Sequence, residues 1–218
     1  GITVMTMFPQ FSPTNVPDAT ISFGSHTQFS PDATSFTLSS ADLGTAAGNR
    51  TIIVACGGLD TVNNDITSVT VGGTAMSETH RGNDSTFRAF IFEVDLTTGT
   101  SGDVVVSFDG TVTRFGIAVW AAYGIAAADD IVASIGYPTE AGNVDISAGG
   151  VAIGYALNHN PNAAVTWTNM TERFDDVQDF TSHTGADTTS ATAATVTVTC
   201  DWPTRDSGPF LLCAWPKG

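Results

Sequence analysis

The sequence predicts an all-β protein, an antiparallel β-sandwich, jelly-roll-like, with an extended N-terminal arm. Three observations predict it. Runs rich in Thr, Val, Ile and Phe recur about every 8–12 residues between clusters of Gly, Asp and Asn, the spacing of sandwiches and barrels. The Ala-rich piece at 121–128 allows one helical turn and nothing longer. The 218 residues are 42% hydrophobic and include 13 phenylalanines, core enough for one domain over residues 19–218.

Residues 1–18 carry Pro9, Pro13 and Pro17 among the apolar Ile2, Val4, Met5, Met7, Phe8 and Phe11. Prolines so spaced oppose a helix and favour an extended path. These six side chains are the expected interface of an arm that packs on its own sandwich or on a neighbouring subunit. Short strands ATISF and SFTL follow, then the polar segment 41–50 and a nearly continuous apolar strand at 51–56. Residues 60–65, rich in Asn and Asp, read as a turn. Residues 66–71 alternate, and Gly72-Gly73 predicts a hairpin into 74–79. The bulky run TFRAFIFEV at 86–94 suits a sandwich interior. Asp109-Gly110 predicts a turn between strands 103–108 and 114–123, the second central because few polar side chains interrupt it. Further strands are expected near 144–147, at 151–157, as a pair at 164–170 and 173–180, at 192–200 and at 209–215.

The formal charge is −15, with Lys217 the sole lysine beside six arginines. Such a surface repels phosphate backbones and anionic membranes, so neither direct nucleic-acid binding nor membrane insertion is expected. No run reaches the roughly 20 apolar residues that span a bilayer, and no charged n-region precedes an apolar h-region, so folding in a cytosol is expected. Cys56, Cys200 and Cys213 each border an apolar run and read as buried free thiols, with a Cys200–Cys213 bridge as the alternative.

Catalytic signatures are weak. Glutamate occurs at positions 78, 93, 140 and 172 alone, and most of the 18 aspartates fall in turns, which explains them without a carboxylate pair across a groove. His26, His80, His159 and His183 are isolated in sequence, read as surface or loop residues, and lack zinc spacing. The pairs Gly57-Gly58, Gly72-Gly73 and Gly149-Gly150 read as turns, with no helix following to cradle phosphate. No catalytic residue and no cofactor is expected. Two oxygen-rich segments, Asp60/Asn63/Asn64/Asp65 and Asp175/Asp176/Asp179, are candidates for structural calcium. Trp120 reads as core, whereas Trp167 and Trp202 read as surface rings able to stack on a glycan, the alternative function being carbohydrate binding for host or surface attachment.

The segment FTLSSADLGTAAGNRTIIVACGG followed by ITSVTVGGTAM resembles a pattern of phage structural proteins: a Gly/Asn-rich lead, an apolar strand, a turn and an ITSVTVGG hairpin. RFGIAVWAAYG and the closing FLLCAWPKG fit the same style. The likeness is best over residues 36–76 and looser over 86–123. It implies a virion component of a tailed phage or gene-transfer-agent-like particle: a capsid decoration protein, head fibre or tail-associated β domain. Its partners would be other virion proteins and copies of itself. It would be made in the bacterial cytoplasm and displayed on the virion surface. The resemblance carries over no catalytic residues, and no long repetitive shaft accompanies it.

Overall fold

A strand apolar along its whole length needs cover on both faces. The chain satisfies that need by stacking sheets. The computed structural model describes residues 16–84, 86–134, 139–160, 165–204 and 206–218. Before residue 124 these form β1 (Thr20–Phe29), β2 (Ala33–Asp42), β3 (Arg50–Leu59), β4 (Ile66–Val71), β5 (Thr74–Ala75), β6 (Ser77–Asp84), β7 (Phe87–Asp95) and β8 (Ser101–Tyr123). After it come β9 (Asp130–Ser134), β10 (Thr139–Ile146), β11 (Gly150–Asn158), β12 (Thr166–Thr168), β13 (Thr171–Gln178), β14 (Thr181–Ser190), β15 (Ala194–Asp201) and β16 (Phe210–Trp215). Every pairing is antiparallel. The predicted class, antiparallel sheets packed as a sandwich, is the observed one.

The 23-residue β8 organises the first half. Its residues 101–112 pair with β2 and β4, whereas 113–123 pair with β1 and β3. The expected turn at Asp109-Gly110 is therefore absent. Asp109 instead extends the ladder sideways, its carboxylate accepting from the Asp65 N–H at 2.8 Å. The strand changes sheets near Arg114, whose φ is +51°. The folded-over sheet encloses a first core of Phe36, Val54, Phe90, Val106, Phe115 and neighbours. In the second half, order β13-β14-β11-β16-β9 makes one sheet and β10-β15-β12 another, around a third core containing Trp167, Cys200, Trp202 and Phe210. Between the halves lies the remaining core, where Ile53, Phe87 and Trp120 meet Ile153, Tyr155 and Trp215. The result is four β layers with three apolar interiors.

Several local expectations are corrected. Gly57-Gly58 is not a turn but lies within β3. A Cβ at Gly57 would meet the Arg88 carbonyl and, at 2.9 Å, the Leu157 side chain of the second half, so close approach of strands requires glycine there. Residues 121–128 make no helical turn: β8 runs to Tyr123, and Gly124 (φ +66°) then turns the chain. The expected pairing of 164–170 with 173–180 does not occur, since β12 pairs with β15 and β13 with β14. Gly72 and Gly73, at φ +54° and +81°, form the expected hairpin turn. Cys56, Cys200 and Cys213 are buried free thiols, and burial raises the Cys56 and Cys213 pKa values.

Candidate functional site

The ionisable side chains converge where the two halves meet. Pairing at the bulge between Glu172 and Phe174 skips Arg173, and both Arg173 and Phe174 reach the seam. The Arg173 guanidinium forks onto Asp187, with Nε and Nη2 each 2.7 Å from a carboxylate oxygen. Trp120 of β8 donates its indole N–H to the same carboxylate at 2.9 Å. Asp187 is 1% exposed, so these donors offset the cost of burying its charge. The fork raises the Arg173 pKa.

Four residues earlier on the same strand, His183 of β14 is fully buried. Its Nε2 lies 3.1 Å from the Arg114 carbonyl, which can only accept, so Nε2 carries the hydrogen. Nδ1 then accepts from the Tyr155 hydroxyl at 3.1 Å. Burial, reinforced by the nearby His26, pushes the His183 pKa down to about 3. His26 of β1 stacks on Phe174 with ring centroids 3.9 Å apart, and its Nδ1 lies 2.6 Å from an Asp176 oxygen. That hydrogen bond lowers the Asp176 pKa. The two histidines, read in sequence as isolated surface or loop residues, thus have ring centroids 6.1 Å apart. Packing of β1 and β8 against β13 and β14 brings them together, and linear spacing holds no trace of it.

These groups include a His–Asp pair and a Tyr–His pair, arrangements that can move protons. The Tyr155–His183 pair is sealed, whereas the His26–Asp176 pair opens to solvent on its carboxylate side, the Asp176 side chain being 54% exposed. Trp120, Tyr155 and His183 are 0% exposed, and each hydrogen bond named joins two strands. The Trp120–Asp187, His183–Arg114 and His26–Asp176 bonds tie one half to the other, and the Tyr155–His183 and Arg173–Asp187 bonds brace the strands that receive them.

A second feature lies at one end of the molecule. The chain enters β1 beside the β10–β11 turn, the Ala19 N–H donating to the Gly149 carbonyl at 2.8 Å. The connector after Gly124 bridges to the C-terminal residues through Ile125 and Lys217. Lys217 Nζ holds the Val16 carbonyl at 3.2 Å and the Asp18 carboxylate at 3.3 Å. Next to this knot is a cleft of about 350 Å³ bordered by Val16, Gly48, Tyr123, Ile125 and Gly218. It adjoins a hollow of about 540 Å³ that shares Thr51, Asp95 and Ile125.

The arm residues Ile2, Val4, Met5, Met7, Phe8 and Phe11 lie outside the described residues. Trp167 and Trp202 are corrected from surface to core: they are 8% and 2% exposed, and the Trp167 indole N–H donates to Thr184 Oγ1 at 2.8 Å. Neither offers a stacking face, because both belong to the third core, where the Trp167 ring lies over Gly154 beside Phe210. The first calcium candidate is occupied by a guanidinium. Arg88 stands 3.5 Å from Asp60 and 3.2 Å from Asp65, and Asn64 Nδ2 donates to Asp60 at 3.0 Å. In the second, Asp176 faces His26, Asp179 meets Arg114 at 2.9 Å, and Asp175 accepts from the Val165 N–H at 3.0 Å. The three carboxylates do not converge. Among the described residues no group of three or more His, Cys, Asp or Glu side chains is placed to hold a metal.

Comparisons with protein-family models, with curated proteins and with solved structures found no match to this chain.

Proposed function

We propose that the chain is a non-enzymatic structural protein that decorates or stabilises a larger assembly through contacts between subunits. The observation that carries this reading is the seam. The His26, Asp176, His183 and Asp187 side chains, which elsewhere serve as acids or bases, are committed to joining two sandwiches. The layered, triply cored body favours a rigid building unit. The virion of a tailed phage or gene-transfer-agent-like particle, at head or tail, is the narrower setting, and its support is the sequence resemblance over residues 36–76. The glycan-attachment reading loses its platform with the burial of Trp167 and Trp202.

The test is to remove residues 1–15 while keeping the Val16–Asp18 root that Lys217 secures. Sedimentation velocity at matched concentrations is expected to show association in the full chain and its loss in the shortened one, with unchanged far-UV circular dichroism. Equal association of the two would reject the arm as the contact.

A further inference from the structure

We infer that residues 1–15 of one copy dock in the Val16–Tyr123–Ile125 cleft of a second copy, so that two copies exchange arms. This rests on the assembly reading above and names the surface that serves it.

Charge is the first argument. Residues 1–15 contain no ionisable side chain, while the chain as a whole has a formal charge of −15. Face-to-face approach of two such bodies is opposed by like charge. The uncharged segment, with Ile2, Val4, Met5, Met7, Phe8 and Phe11, approaches without that penalty and brings apolar area to bury.

Position is the second. The segment leaves the body at Val16, which is itself part of the cleft wall. Fifteen extended residues span at most about 50 Å, ample to reach a neighbour. Val16 precedes Pro17 and is thereby biased to extended backbone, which favours an arm that reaches away from its root. Lys217, bonded to both Val16 and Asp18, fixes the exit further. Mutual exchange also closes: the same segment and the same cleft serve on both copies, as a two-fold dimer requires.

Gly48 makes the cleft testable in the full chain. It borders the cleft, and a Cβ there would meet nothing within 4 Å, so a larger side chain can be added at the cleft's edge without disturbing the body. At about 0.15 M salt, where the Debye length is about 8 Å, the full chain is expected to dimerise with rising concentration. Gly48→Trp should weaken that dimer by about tenfold or more. Gly48→Ala should leave it intact, and both variants should keep the parent circular dichroism and Tm. A dimer unchanged by Gly48→Trp would overturn the cleft as the docking site while leaving the assembly reading in place. A chain monomeric at all concentrations, with the amides of residues 1–15 protected from hydrogen exchange, would show the arm in its own cleft and overturn the exchange. A monomer with those amides unprotected would overturn the exchange and also remove the support for assembly through the arm.

Discussion

His183 shows what one residue commits to in a buried seam. Neutral, it satisfies both ring nitrogens, one through the Arg114 carbonyl and one through the Tyr155 hydroxyl. Protonated, it would place a buried charge beside Tyr155 and His26 that Asp176 offsets only in part. Its folded pKa of about 3 stands against about 6.5 in an unfolded chain. Between those values the unfolded chain binds the extra proton, so this contribution is complete above about pH 6.5 and is lost as the pH falls towards 3. At about 1.4 kcal/mol per pH unit, lowering the pH from 7 to about 4.5 removes on the order of 2–3 kcal/mol. Asp176, lowered by His26, adds loss in the same sense at still lower pH, whereas Asp175, raised by burial, opposes it. Urea midpoints at the two pH values should show a large acid shift in the parent and a smaller one in His183→Gln. Equal shifts would assign the acid sensitivity to other groups. Arg50 makes the complementary choice. It is 1% exposed, yet its guanidinium is met by the carbonyls of Leu43, Gly44, Leu96, Thr98 and Gly99, which tie two loops to the head of β3.

At the scale of elements, β8 and β14 carry the architecture and are the two strands hardest to read in one dimension. Each half of β8 looks like a separate strand because Asp109-Gly110 has turn chemistry, but lateral bonds from Asp65 keep it extended. β14, TSHTGADTTS, has no alternating apolar pattern, yet residues 181–187 are buried on both faces. Asp187 is met by Arg173 and Trp120, Ser182 by the Asn160 carbonyl and Thr184 by the Phe174 carbonyl, while the buried Thr181 hydroxyl makes no hydrogen bond among the described residues. The two strands meet at Gly116, where a Cβ would strike the His183 ring. Gly116→Ala should therefore cost about 1–3 kcal/mol by overpacking, as read from urea denaturation. Gly48→Ala, into open space, should stay within about 0.5 kcal/mol. A neutral Gly116→Ala would mean that β8 and β14 are not in close contact.

Over the whole molecule, the core between the halves decides how the protein unfolds. Trp120 and Trp215 are both 0% exposed there, and residues of both sandwiches line it. Neither half can separate without exposing that apolar surface, so the two are expected to melt together. Calorimetry should give one transition with calorimetric and van't Hoff enthalpies equal. Trp215→Ala should destabilise by about 3–5 kcal/mol, since it opens a cavity and orphans the Glu93 carboxylate that accepts the indole N–H at 2.5 Å. Two resolved transitions in the parent would show that the halves are energetically separate.

The sequence alone determined the β class, the acidic surface, the hairpin at Gly72-Gly73, the buried thiols and Trp120 as core. Each of these follows from composition or from side-chain alternation along a single strand, which neighbours in the chain suffice to set. Tertiary structure decided that β3 and β11 lie between layers, that Gly57-Gly58 continues a strand, that Trp167 and Trp202 face inward, and that His26 meets His183. Those outcomes depend on which sheet covers which face. Contacts between residues far apart in the chain, such as His26 with Asp176 or Trp120 with Asp187, arise from that stacking.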